Sequence, residues 1–226
     1  MSDSKIHLHY WPIRGLGEPV VTLLNYLEIP YELHQKTSME QMLKEKNALI
    51  EKGFLFANLP YIQDGETYLS ETVNIMEYLC KKAKRTELIP TCEEYFKFHE
   101  MKGAMIDLKN LSTSKFYQVK TMDELKDLLT SGSSRWQSKL NAFEQILKKS
   151  DFVFGRLTYL DFYFAECIEM LIEFQKETEY DFFGNRTQVY VDYLKRFNAL
   201  PQLVSYHKGE SFKARPYNMP GMSVWN

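Results

Sequence analysis

The chain has 226 residues, of which 44% are hydrophobic and 26% charged, with a formal net charge of −2. That composition is globular, excludes an intrinsically disordered chain, and is long enough to bury one or two sizeable cores. Acidic and basic residues are interspersed, so there is no electrostatic case for nucleic acid or an anionic membrane as partner.

From Lys5 to Tyr10 the residues alternate with period two, which predicts a strand with Ile6, Leu8 and Tyr10 on one face. His7 and His9 share the other face; a metal pair there is conceivable, but no third ligand is in view and no metal is expected. Val20, Leu23, Leu24 and Leu27 recur at helical spacing and predict an amphipathic helix over 18–27. A second strand over 31–36 follows the breaker Pro30, and a polar helix over 40–51 stops at Gly53. Pro60 to Gln63, Asp64-Gly65 and Glu66 to Leu69 read as strand, turn and strand. Ser70 reads as the cap of a helix with Thr72, Ile75, Met76 and Leu79 on one face. Lys81, Lys82, Lys84 and Arg85 close that helix as a solvated basic run complementing its dipole.

The order βαβ, helix, ββα predicts a compact α/β domain over 1–84, with its first two strands parallel and its last two antiparallel. A linker over 85–91 leads to an all-helical domain over 92–226. A long helix over 92–117 carries Phe98, Met101, Met105 and Leu108 on one stripe. A second over 123–149 carries Trp136, Leu140, Phe143 and Leu147, with a weak spot at Ser131-Gly132-Ser133-Ser134. Leu160, Phe164, Cys167, Ile168 and Leu171 define a third, and shorter helices follow over 188–197 and 202–207. The tail keeps Phe212, Tyr217, Met219 and Trp225, and so much apolar surface must pack on something.

Cys80, Cys92 and Cys167 lack CxxC or metal-ligand spacing, and Met1-Ser2-Asp3-Ser4-Lys5 lacks the marks of a signal peptide. The expectation is a reduced, cytoplasmic protein in which the sequons at Asn110 and Asn185 stay unmodified. No apolar run reaches the length that spans a bilayer.

Four motifs stand in order along the chain. They are Tyr10-Trp11-Pro12-Ile13-Arg14-Gly15-Leu16, Phe56-Ala57-Asn58-Leu59-Pro60-Tyr61, Gly155-Arg156-Leu157-Thr158-Tyr159-Leu160-Asp161-Phe162, and Phe212-Lys213-Ala214-Arg215-Pro216 with Met222-Ser223-Val224-Trp225. Together with a thioredoxin-like domain followed by an all-helical one, they make the chain resemble the cytosolic glutathione transferases, in particular their mu class. The resemblance covers essentially the whole chain.

The resemblance implies conjugation of the glutathione thiolate to hydrophobic electrophiles, in detoxification, with glutathione as co-substrate and no cofactor. A thiol with pKa near ~8.5 is only a few per cent ionised at neutral pH, and a hydroxyl donating to the sulfur favours the anion. Tyr10 matches the family's catalytic tyrosine, and Tyr117 falls where the mu class places a second tyrosine over the electrophile. The glutathione-binding set implied is Tyr10, Trp11, Leu16, Lys52, Asn58, Leu59, Pro60, Glu71, Thr72 and Asp107. Leu59, before a cis Pro60, would pair strand to strand with the cysteinyl part, and the helix opened by Glu71-Thr72 suits the γ-glutamyl carboxylate. Glu71-Thr72 departs from the mu-class Gln-Ser, and the family tryptophan is absent before Lys52, which leaves Lys52 for the glycyl carboxylate and Lys46 as the fallback. Asp107 resembles the aspartate that reaches the neighbouring subunit's glutathione, and Phe56 the aromatic key of a homodimer. Thr158 and Asp161 form a capping box of structural value. The tail, with Ile13, Leu16 and Tyr117, would line an apolar electrophile site. The alternative is a catalytically weak protein on the same fold, serving as a binding or structural subunit. A thiol oxidoreductase would need an N-terminal active-site cysteine, and the first cysteine is Cys80.

Overall fold

The computed structural model describes residues 5–226; Met1-Ser2-Asp3-Ser4, part of the segment read for a signal peptide, lies outside them. The chain divides into two compact units. One joins the described residues of Met1–Arg85 to Pro201–Met219, and the other comprises Thr86–Leu200 with Pro220–Asn226.

In the first unit the elements run β1 (Ile6–Tyr10), α1 (Glu18–Tyr26), β2 (Tyr31–Gln35), α2 (Met39–Glu51), β3 (Tyr61–Asp64), β4 (Thr67–Ser70) and α3 (Thr72–Lys82). The sheet order is β2-β1-β3-β4, with β1 and β2 parallel and the other two pairings antiparallel. This is the thioredoxin-like arrangement. Ile6, Leu8 and Tyr10 are buried on one face of β1, as the alternation requires, with the apolar stripes of α1 and α3 also buried. The β3–β4 turn sits on Gly65-Glu66, one residue later than the sequence suggests, and Gly65 supplies the positive φ of 57°.

Two local expectations need correcting. Ser70 does not cap α3: it ends β4 and donates its hydroxyl to the Phe56 carbonyl at 2.8 Å. Glu71 occupies the cap position with φ 70° and no side-chain cap bond. The basic run after α3 is not simply solvated, because Lys82 pairs with the buried Asp64 at 2.6 Å and Arg85 donates to the Tyr26 hydroxyl at 3.0 Å. A buried carboxylate needs a cation more than the helix end does.

The last part of the first unit is α9 (Pro201–Lys208), α10 (Glu210–Lys213) and the chain to Met219. The sequence places these residues with the helical domain over 92–226; here they pack with 5–85. Glu18, at the start of α1, is buried, and Arg215 meets its carboxylate at 2.7 Å while the Tyr206 hydroxyl donates to it at 2.5 Å. The charge on α1 therefore recruits the C-terminal segment.

The second unit contains α4 (Tyr95–Thr113), α5 (Met122–Ser131), α6 (Ser133–Leu147), α7 (Tyr159–Thr178) and α8 (Thr187–Asn198). Most residues of α7 are buried, as expected of a helix apolar on nearly all sides at the centre of a core. The single helix expected over 123–149 breaks at Gly132, where the weak spot falls; Gly132 ends α5 and begins α6. The helix expected to reach Tyr117 tightens into a 3-10 turn over Ser114–Tyr117. Ser112, Thr113 and Ser114 donate their hydroxyls back to the carbonyls of Leu108, Lys109 and Asn110, which competes with the backbone ladder there. The capping box at Thr158 and Asp161 forms, and Asp161 also accepts from the Val153 N–H at 3.0 Å. Arg156, in the same motif, binds the carboxylate of Glu94 through both terminal nitrogens, at 3.1 and 2.8 Å.

Candidate active site

Tyr10 ends the central strand β1 with its ring buried beneath the loop that leads to α1. Its hydroxyl oxygen accepts the Leu16 backbone N–H at 2.8 Å. The loop lies so close that a Cβ on Gly15 would stand 2.5 Å from that oxygen, and one on Gly17 would stand 2.4 Å from the ring. Gly15 also holds φ at 42°, a conformation side-chain-bearing residues rarely adopt. A phenol whose oxygen accepts a hydrogen bond becomes a stronger donor itself, the polarity required to stabilise a thiolate.

Leu16 is tied at both ends of its backbone. While its N–H reaches Tyr10, its carbonyl accepts from the Thr72 hydroxyl at 2.9 Å. Thr72 thus directs its hydroxyl proton into the loop. Glu71 is exposed beside it. Trp11 is half-buried at the loop's start.

From the other side, the loop is clamped by the C-terminal segment. Arg14 N–H donates to the Pro216 carbonyl at 2.8 Å and Gly15 N–H to the Tyr217 carbonyl at 3.2 Å. The Arg14 guanidinium lies over the rings of Phe212 and Tyr217, at 4.2 and 4.4 Å from their centroids. Two aromatic residues that the resemblance assigns to the electrophile site therefore also fix the tyrosine loop.

The Leu59–Pro60 peptide is cis. Asn58 and Leu59 border a small cavity with Lys36, Met42, Glu45 and Lys46. Lys52 lines an adjoining, wider cleft of about 530 Å³ with His9, His34, Lys36 and Gln41, and the two share Lys36, Glu45, Leu49 and Tyr61. The structure thus brings Lys46, not Lys52, to the Asn58-Leu59 edge. Sequence reasoning missed Lys36, whose buried ammonium pairs with Glu45 and meets His9 Nδ1 at 3.0 Å. Burial, then the Lys36 ammonium, lowers the pKa of His9 to about 3, so it is neutral at physiological pH. Burial works against the charge on Glu45, but bonds from Lys36 and Gln41 hold its carboxyl below the usual range. The pairing of β1 with β2 and the placement of α2 assemble this network; no local pattern exposes it.

In the second unit, Asp107 is exposed on α4 and pairs with Lys139 of α6 at 3.1 Å. It borders a polar cleft with Asn110, Ser114, Arg135 and Lys139. Tyr117 ends the 3-10 turn, 42% exposed. Phe56, in the first unit, is 83% exposed beside Leu55, which is also exposed.

Comparison with known proteins bears on these features. Residues 6–81 match the glutathione S-transferase N-terminal domain and residues 106–210 the glutathione S-transferase C-terminal domain. The chain is 31% identical to a glutathione S-transferase of Tyrophagus putrescentiae, over 99% of this chain and 98% of that protein. It is 29% identical to the class-mu 26 kDa isozyme of glutathione S-transferase from Schistosoma japonicum, over 92% and 91% of the two chains. The crystal structure of the glutathione S-transferase Blo t 8 superposes with a TM-score of 0.79 at 29% identity, covering 96% of this chain and 98% of that one. On this fold and this likeness, the chain belongs to the glutathione S-transferase family and is mu-class-like.

Proposed function

We propose that this protein conjugates the thiolate of glutathione to small hydrophobic electrophiles in detoxification, with Tyr10 as the catalytic hydroxyl. The observation that carries the assignment to Tyr10 is its hydroxyl oxygen, held at the end of β1 by the Leu16 N–H at 2.8 Å. Lowering a thiol pKa by two units takes about 2.7 kcal/mol, which a hydrogen bond to an anion in a partly dry site supplies. The thiolate then attacks the electrophilic carbon, and the leaving group departs with the electron pair of the broken bond.

Around that centre, Leu59 offers its backbone to the cysteinyl part of glutathione, with Asn58, Pro60, Trp11 and Leu16 forming the rest of that wall. The N-terminal N–H groups of α3, at Glu71 and Thr72, take the γ-glutamyl carboxylate, and Glu71 accepts from the ligand's ammonium group. Lys46 takes the glycyl carboxylate ahead of Lys52, because it shares a cavity with Asn58 and Leu59. Asp107 serves a glutathione bound to a second subunit once it leaves Lys139, and Tyr117 polarises the electrophile. Phe56 is the anchor of a homodimer: an aromatic ring 83% exposed on a soluble fold is a ready hot spot. A reduced, cytoplasmic setting suits the three free cysteines, and no helix among the described residues is long and apolar enough to cross a membrane.

Binding to immobilised glutathione, together with conjugation of a chloronitrobenzene, tests this reading with wild type and Tyr10→Phe. Both proteins should bind, and the variant should lose turnover at least tenfold. A wild type that does not bind glutathione overturns it in favour of a structural subunit.

A further inference from the structure

The sheet face opposite the Tyr10 ring gathers more chelating chemistry than β1 alone displays. The parallel register sets His7 beside Glu32 and His9 beside His34, so period two puts all four on the same face. His7 Nδ1 and His34 Nε2 approach to 2.9 Å, and Glu32 Oε1 lies 3.8 Å from His34 Nε2. One ligand atom from each of His7, Glu32 and His34 falls within 4.8 Å of the other two. We propose that His7, Glu32 and His34 form a binding site for a single divalent transition-metal ion of the zinc type.

The geometry fits that ion in three respects. A tetrahedral ion with bonds of about 2.0–2.2 Å to nitrogen and oxygen sets its donor atoms about 3.3 Å apart. The two observed spacings bracket that distance, so the imidazoles open by about half an ångström and the carboxylate closes by a similar amount. Two imidazoles and one carboxylate select zinc, copper or nickel over magnesium and calcium, which prefer all-oxygen sets. Three protein ligands leave the fourth position to water.

The site is also preorganised. All three ligands stand on paired strands rather than on a loop. The His34 ring is flanked by His9, stacked at 4.5 Å, and by His7 at 5.1 Å, while His9 stacks in turn on Tyr61 at 4.2 Å. This row of rings fixes the imidazole planes before an ion arrives. The roles of the two nitrogens that meet at 2.9 Å depend on the tautomer; with the ring protons on His7 Nε2 and His34 Nδ1, both present lone pairs to an ion. Of the nearby cations, Lys5 engages the other oxygen of Glu32, Oε2, at 3.4 Å, leaving Oε1 facing His34. Lys36 is engaged by Glu45 and His9.

The test uses the full chain stripped with a chelator and titrated with zinc chloride by calorimetry, with excess magnesium present throughout. One zinc per chain should bind with micromolar affinity, unaffected by magnesium. His7→Ala, His34→Gln and Glu32→Gln should each weaken binding tenfold or more, and His99→Ala and Cys92→Ser should not change it. Zinc-edge X-ray absorption on the wild type should show two imidazoles and an oxygen, a readout independent of whether any variant folds. No binding below about 100 µM zinc, equal affinity in the His7→Ala/His34→Gln double variant, or a sulfur-containing shell overturns the proposal.

Discussion

The Leu16 N–H donates to the Tyr10 hydroxyl at 2.8 Å, so the backbone of the loop after β1 sets the direction of the tyrosine O–H. The two flanking glycines make this approach possible. Gly15→Ala would put a methyl carbon 2.5 Å from the Tyr10 oxygen at a backbone φ of 42°. We expect it to lower kcat/KM for glutathione conjugation at least tenfold and to cost about 1–3 kcal/mol of stability. Steady-state kinetics and urea unfolding check both; unchanged kcat/KM would show that the loop does not position Tyr10.

Thr72 holds the other end of Leu16. Thr72→Val removes that donor and should cost about 1–2 kcal/mol through the unsatisfied Leu16 carbonyl, with a fall in turnover. Thr72→Ser restores the hydroxyl and should recover turnover. If Val and Ser variants behave alike, the hydroxyl is not the acting group.

Lys46 and Lys52 make competing predictions for the glycyl end of glutathione. Lys46→Ala should raise the KM for glutathione several-fold with little change in kcat, the signature of lost uniform binding. Lys52→Ala should leave both parameters nearly unchanged. The reverse pattern would return the role to Lys52.

Arg215 neutralises a carboxylate that has almost no solvent: Glu18 is 1% exposed and the ion pair measures 2.7 Å. Arg215→Ala leaves that charge buried and should cost about 3–5 kcal/mol in chemical denaturation. Arg215→Ala in a Glu18→Gln background should cost much less, and equal costs in both backgrounds would contradict the pairing.

Asp161 gives the fold a dependence on pH. Burial pushes its carboxyl up to about 7, against the Val153 and Thr158 N–H groups that favour the anion. The unfolded chain releases this proton near about pH 4, so between about 4 and 7 the folded state binds more protons than the unfolded one. This contribution is therefore complete below about pH 4 and is lost as pH rises through about 7. Urea midpoints of the wild type should carry that decline, and Asp161→Asn should flatten it; identical slopes in the two proteins would exclude Asp161 as the source.

Much of this molecule is legible along the chain. The alternation that ends in Tyr10, the spacing of Val20, Leu23 and Leu24, and the Thr158–Asp161 box each depend on residues within a turn or two of one another. Those interactions determine the elements and place Tyr10 and Pro60 at element boundaries. The choice of long-range partners belonged to the tertiary structure. Arg14 finds the Tyr217 hydroxyl 203 residues away, and His7 finds His34 at a separation of 27. Glu18 draws the segment over 201–219 to the first unit, and Asp107 takes Lys139. A lone histidine, lysine or glutamate has the same local pattern whichever partner it meets. Only strand register and packing bring those charges and rings within a few ångströms, close enough for the pairing that a buried charge requires.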